Sequence, residues 1–200
     1  MGYVGQRRKM EINIGSTISF SGTHGTGKST AAMKLADIIR DKLEFTNLTI
    51  QDGIARKCSE AFSINQKTNL QSQQYIFCQF LSDTLIQRLQ NQPLISARSI
   101  WDNIAYLTCY LNSQEIDYNR NDILSSIRGM KLIASTVRYD YIFLLSPEND
   151  YCVRDGIRDI DRKFRNDVHE ILINIYNTNK VPYILVDDVN KFFDELDIVL

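Results

Sequence analysis

Gly22-Thr23-His24-Gly25-Thr26-Gly27-Lys28-Ser29 fits the pattern G-x-x-x-x-G-K-[ST] at every fixed position. Glycines in such a loop let the backbone turn its N–H groups inward around phosphate oxygens as an anion nest. The helix expected to begin directly after the loop adds the positive end of its dipole at the same spot. In that arrangement the Lys28 ammonium neutralises charge on the β- and γ-phosphates of a nucleoside triphosphate. The Ser29 hydroxyl ligates Mg²⁺, and Thr30 reaches the α-phosphate.

The sequence on either side supplies the strand and helix that this motif requires. Residues 16–21 form a short β-prone stretch that ends directly in Gly22. Downstream, Ala31, Leu35, Ile38 and Ile39 recur at helical spacing, and Leu43 extends the stripe. Further strands are expected over 48–50, 93–97, 141–145 and 183–186, and helices over 70–90, 101–111, 122–137, 163–177 and 189–199. The runs 141–145 and 183–186 are apolar throughout, as strands are when helices cover both faces. Strands alternating with helices imply right-handed crossovers. The expected fold is therefore α/β, a five-stranded parallel sheet with helices on both faces, in one domain over residues 1–200. Ligands of such sheets bind at the carboxyl ends of the strands. That directs attention to the glycine loop, Asp52, Arg98 and the stretches 146–150 and 187–188.

Global properties exclude several classes. With a net charge of −1, bulk electrostatics favour neither nucleic acid nor an anionic membrane, and Arg7-Arg8-Lys9 reads as a solvated tail. No apolar run approaches the roughly 18 residues needed to span a bilayer. The first residues lack the apolar core of a signal peptide, and Gln6 stands where a myristoylation signal wants Ser or Thr. A cytoplasmic location is expected. Cys58, Cys78, Cys109 and Cys152 are scattered without C-x-x-C spacing and read as reduced, mostly buried thiols. His24 and His169 are the only histidines, too few for a histidine-based metal site.

Two strand ends carry further chemistry. The stretch 97–106 reads Ala-Arg-Ser-Ile-Trp-Asp-Asn-Ile-Ala-Tyr, placing Arg98, Asp102 and Tyr106 after the third strand. After the fourth strand, Arg154, Arg158, Arg162 and Arg165 stand four, four and three residues apart, with Asp155, Asp159 and Asp161 between them. If helical when closed, they line one face. Guanidinium forks suit a transferring phosphoryl group, although Asp–Arg pairing on a solvated face would give the same spacing. Gly156 within the run and its place after a strand favour a mobile lid over 148–165.

The glycine loop, the Arg-Ser followed by Asp and Tyr, and the Asp-Gly-x-Arg lid together resemble the P-loop nucleoside and nucleotide kinases. Thymidylate-kinase-like enzymes and nicotinamide-riboside-kinase-like ATPase domains are the most similar groups. The resemblance covers most of the chain, although only the glycine loop is specific by itself. It implies a P-loop NTPase of the nucleotide-kinase type, with ATP and Mg²⁺ bound by residues 22–30 (Gly22, Thr23, His24, Gly25, Thr26, Gly27, Lys28, Ser29, Thr30). Within that loop His24 occupies a variable position and carries no expected catalytic role. By the same resemblance Arg98 contacts the acceptor and its phosphate. Arg158, with Arg154, Arg162 and Arg165, supplies the lid, and the loop at 187–189 lies near the adenine.

Ala97 departs from the pattern, because relatives commonly place an acid there, and alanine can neither orient a metal-bound water nor take a proton. Asp52 or Asp102 then supplies the carboxylate, or the acceptor is already a phosphate anion that needs positioning more than a base. Alternatively the chain binds ATP as a regulatory or partner-binding module with little turnover. Asp52 also fits a turn beside Gly53, and Asp102 a helix cap. Gln71, Ser72, Gln73 and Gln74 open the long helix that borders the acceptor pocket, where amides suit a nucleobase edge or plain solvent. The expected acceptor is a nucleoside or deoxynucleoside monophosphate. Nucleic acid is a weaker alternative, and a homodimer through the helices before residue 141 is open. A GTPase switch is the least favoured class, because no Asp-x-x-Gly follows the loop and Asn179-Lys180-Val181-Pro182 ends in proline where guanine recognition wants Asp.

Overall fold

In the computed structural model, residues 8–43, 47–58, 68–113, 120–148 and 161–199 are described. A five-stranded, wholly parallel sheet runs in the order β3-β4-β2-β5-β6, from β2 (Thr17–Ser21), β3 (Thr49–Gln51), β4 (Leu94–Ser96), β5 (Tyr141–Leu145) and β6 (Ile184–Val186). The strand leading into the glycine loop is therefore central, bonded on one side to β4 and on the other to β5.

Alternation along the strands separates two cores. On β5, Phe143 and Leu145 join Phe20 and Ile18 of β2 against helix α1 (Lys28–Leu43) and helix α7 (Val189–Glu195), through Leu35, Ile39, Phe192 and Phe193. Ile142 and Leu144 point the other way. They meet α4 (Ile100–Ser113), α5 (Arg120–Ala134) and α6 (Arg162–Thr178) through Trp101, Ile104, Ile127, Leu172 and Tyr176. A period of two puts successive side chains on opposite faces, which explains why β2 reads Ile-Ser-Phe-Ser. Its apolar residues face α1, and Ser19 and Ser21 face the α4 side, fully buried. Helix α3 (Leu70–Leu89) starts at a capping box, Asn69 accepting from Ser72 N–H and the Ser72 hydroxyl accepting from Asn69 N–H.

Two expectations are corrected. The last helix stops at Glu195, and Leu196–Val199 forms a strand, β7, paired in parallel with β1 (Arg8–Glu11) in a separate two-stranded sheet. Phe192, Phe193, Leu196 and Val199 do sit at helical spacing, but Leu-Asp-Ile-Val also alternates, and burial decides between the periods. Ile198 packs with Met10 and Ile12 into the α1-side core while Asp197 faces outward. Arg8 and Lys9 accordingly belong to a strand, and of the expected tail only Arg7 lies outside the described residues. A short helix α2 (Ile54–Cys58) after Gly53 was also unforeseen. Cys58 and Cys109 are buried free thiols, Cys78 is exposed, and Cys152 lies outside the described residues. Among the described residues no helix is long and apolar enough to cross a membrane.

The strand assignment is testable. Ile198→Ala should destabilise the fold by about 2–5 kcal/mol in urea denaturation, as for a buried aliphatic side chain. Leu185→Ala, on the exposed side of edge strand β6, should cost about 1 kcal/mol or less.

Candidate nucleotide-binding site

The glycine loop emerges from β2 at the carboxyl edge of the sheet. Gly22, Gly25 and Gly27 have φ of +134°, +74° and +82°, values that side chains resist. At Gly22 space forbids a side chain as well, because a Cβ would stand 2.9 Å from the Leu145 carbonyl oxygen of β5. Thr23, His24, Thr26 and Lys28 are buried, Gly25, Gly27 and Ser29 half-buried, and Thr30 exposed at the start of α1.

Lys28 folds back over its own loop, donating to the Thr23 carbonyl and, at 3.3 Å, to the Thr26 hydroxyl. Burial, the repulsion of Arg98 and, more weakly, that of Arg165 hold the Lys28 pKa well below its ordinary 10.5, against the pull of Asp102 and Asp52. Two guanidiniums from elsewhere in the fold thus act on Lys28 at the loop. The positive-φ glycines and an ammonium resting on loop oxygens fit a polyphosphate, whose oxygens would replace those contacts.

Asp102, on the first turn of α4, is fully buried behind the loop. Its Oδ1 accepts from Gly22 N–H at 3.0 Å, and its Oδ2 from the Ser21 hydroxyl at 2.9 Å and from the Ser99 N–H and hydroxyl, both at 2.7 Å. The Tyr176 hydroxyl of α6 closes the cluster, 2.6 Å from the Ser21 and 2.9 Å from the Ser99 hydroxyl. Burial, and then Asp102, raise the Tyr176 pKa well above its ordinary value, so it stays a phenol. Asp102 therefore braces the loop from behind and, by accepting the Ser99 N–H, also caps its own helix within the buried cluster.

Arg98 lies between Asp102, 4.0 Å from Oδ1, and the ring of Tyr106, 5.2 Å from its centroid. Burial opposes its charge, but Tyr106 and Asp102 outweigh burial and raise its pKa. Asp52 is exposed just beyond β3 and acts on both Lys28 and Arg98. Ala97 is buried in the α1-side core, its N–H donating to the Gln51 carbonyl at 2.9 Å. Of the expected lid arginines, Arg165 is buried and donates to the Pro147 carbonyl at 2.8 Å, and Arg162 is exposed. Arg154, Gly156 and Arg158 lie outside the described residues. A cavity of about 250 Å³ beside the end of β5 is lined by Ser146, Pro147, Arg162 and His169. Burial lowers the His169 pKa, which Glu170 and Asp187 oppose.

Among the described residues no group of three or more His, Cys, Asp or Glu side chains is arranged to hold a metal ion. Sequence reasoning missed Ser21, Phe164 and Tyr176, and it named Tyr106 beside Arg98 and Asp102 without giving it a role. Tyr106 was detectable, because Arg98, Asp102 and Tyr106 follow one another at four-residue steps.

A family model described as AAA domain matches residues 17–191. No curated protein sequence matches. Among solved structures, the chain is similar to the NadR protein in complex with NAD and AMP-PNP (15% identity, TM-score 0.65, covering 88% of this chain and 44% of that one). It is also similar to thymidylate kinase from Ehrlichia chaffeensis (18%, 0.60, 90% and 95%). A third is deoxyadenosine kinase from M. mycoides, with the products dCMP and dCDP bound (16%, 0.65, 89% and 95%). The chain spans less than half the length of the NadR protein. These likenesses establish the P-loop kinase-type fold.

The bracing role of Asp102 predicts a large stability effect. Asp102→Ala leaves buried donors without an acceptor and should lower the unfolding free energy by about 3 kcal/mol or more, measured in urea. Asp52→Ala, at an exposed position, should leave the urea midpoint unchanged.

Proposed function

Because this chain belongs to the AAA domain family, we propose that it is an ATP·Mg²⁺-dependent kinase of a small nucleoside-type acceptor, a nucleoside or deoxynucleoside monophosphate. The observation that carries this reading is the convergence of Lys28, Arg98 and Arg165 on one glycine loop, where each cation disfavours the charge of the first. A passive nucleotide-binding loop needs its lysine; it has little use for two further guanidiniums. The thymidylate and deoxyadenosine kinases that share the fold support the acceptor class.

In this reading the backbone amides of the loop and Lys28 hold the triphosphate, with the Ser29 hydroxyl on the metal. Bound ATP·Mg²⁺ supplies the phosphoryl group and the divalent charge. Arg98 and Arg165, with Arg154 and Arg158 of the proposed lid, neutralise the transferring group, and catalysis consists of in-line positioning and charge stabilisation. Asp52 orients the acceptor or takes its proton, since Asp102 is already occupied by four donors from the protein.

The acceptor base lies between α3 and α4. There Asn103 and Gln73, both buried, meet at 3.3 Å, and Asn103 Oδ1 is buried without a hydrogen-bond partner among the described residues. The donor base lies in the cavity by His169, whose Nδ1 is buried without a hydrogen-bond partner among the described residues and which feels Asp187 of the loop expected near adenine. The rival reading, an ATP-binding module without turnover, rests on Ala97 alone.

Screening nucleosides and nucleoside monophosphates in a coupled ADP-release assay should find one that stimulates turnover; ATP binding with no stimulated turnover would favour the module. Lys28→Ala should abolish transfer, and Arg158→Ala and Asp52→Asn should each lower kcat by more than about tenfold. Normal turnover in Arg158→Ala would remove the lid from the mechanism.

Binding also carries a proton signature. Between the lowered pKa of free Lys28 and its ordinary 10.5 the amine is partly neutral, and the incoming polyanion restores its charge. ATP binding should therefore take up protons in that window. Calorimetric enthalpies that agree in two buffers of different ionisation enthalpy would count against this account of Lys28.

A further inference from the structure

Tyr106 is 4% exposed, on the third step of the Arg98–Asp102–Tyr106 ladder. Its hydroxyl accepts the backbone N–H of His24 at 3.0 Å and lies 3.2 Å from His24 Nδ1, two contacts to the glycine loop, and it also reaches the Arg98 side chain. Its ring face carries the Arg98 guanidinium. Its ring also meets Phe164 at 5.9 Å and 61°, while the His24 ring stacks on Phe164 at 5.8 Å and 26°. Phe164 is the residue before Arg165 on the first turn of α6.

We propose that Tyr106 is a positioning residue that locks the donor loop to Arg98, so that phosphate cradle and acceptor arginine hold a fixed separation. The physical need comes from the loop itself. Gly22, Gly25 and Gly27 give it conformational freedom that phosphate binding must remove. The His24 N–H lies between the first two glycines, and fixing it to a rigid helix side chain removes part of that freedom beforehand. The same ring restrains Arg98 through its face. A tyrosine serving only as core filler would be equivalent to phenylalanine, as at Phe20 and Phe143 in the opposite core. Here the hydroxyl is spent on the backbone of the loop.

The inference rests on the kinase reading only for the meaning of Arg98, and its test needs no turnover. Affinity for AMP-PNP is measured by titration calorimetry on the wild-type chain, Tyr106→Phe, Tyr106→Leu, Arg98→Ala and the Tyr106→Leu/Arg98→Ala double variant. Losing one hydrogen bond should weaken AMP-PNP about three- to tenfold in Tyr106→Phe and speed hydrogen exchange at the His24 amide. The affinity lost through Arg98→Ala should shrink when Tyr106 is already leucine, because the two residues act as a unit.

A merely structural tyrosine would lower the melting temperature of the Phe variant and leave the affinity of the folded protein unchanged. That result, or additive effects in the cycle, overturns the proposal. If Tyr106→Leu does not fold, the Phe variant decides alone through affinity and exchange. AMP-PNP binding that depends on Tyr106 in a chain that phosphorylates no acceptor would remove the kinase reading and leave this one intact.

Discussion

The carboxylate edge of the sheet depends on the burial of Asp102. A charge with no exposure is costly to desolvate, by several kcal/mol even after relaxation, unless its lone pairs find donors. Here they come from the end of β2, the first amide of the glycine loop and the turn before α4, with Tyr176 reaching in from α6. Three segments far apart in sequence are thereby fixed on one small anion. The requirement reaches back into the sheet. The central strand keeps serine on the α4 face at Ser21, at the cost of apolar packing, because a larger apolar residue would leave Asp102 and Tyr176 without that hydroxyl.

That anchored anion also sets the electrostatics in front of it. Asp102 acts on Lys28 and Arg98 from behind the loop, and Asp52 acts on both from the solvent side. Neither pull is enough to restore Lys28, whose pKa stays well below its ordinary value under burial and the repulsion of Arg98 and Arg165. Without ligand the loop is electrostatically frustrated. A polyanion would offset that repulsion and supply the counter-charge that burial withholds, so binding energy can come from charges the fold has already assembled.

How much of this was legible in the sequence depends on the range of the interaction. The central strand, the loop and α1 are local: glycine spacing and a period-two to period-3.6 change specify them within thirty residues of chain. The apolar runs of β5 and β6 were equally plain, because burial on both faces leaves no polar interruption. The C-terminal strand was missed for a tertiary reason. Residues 196–199 satisfy both periods, and only the arrival of Met10 and Ile12 from the other end of the chain selects the strand. Asp102 was singled out, but its direction was not readable. Whether it faces metal or loop depends on Ser21, some eighty residues away. Tyr106 stood in view at helical spacing and lacked only its partner, a backbone N–H, which no side-chain pattern reveals.

The missing acid at position 97 takes on a different character in the folded chain. Ala97 N–H donates to the carbonyl of Gln51, and β3 and β4 run in parallel register with Gln51 opposite Ser96. Asp52 therefore leaves the sheet on the strand next to Ala97, one residue beyond the bond that joins them. Gln51 is itself fixed, its amide bridging the Ser96 hydroxyl at 2.9 Å and the Phe80 carbonyl at 3.4 Å, so the stem beneath Asp52 is rigid. Ala97 sits within an apolar cluster where a carboxylate would be desolvated beside Ile95. The same charge one strand outward stays in water and still acts on Lys28 and Arg98. Under the kinase reading, then, the carboxylate is displaced to the neighbouring strand, and the loss of the acid at 97 does not require the loss of its function.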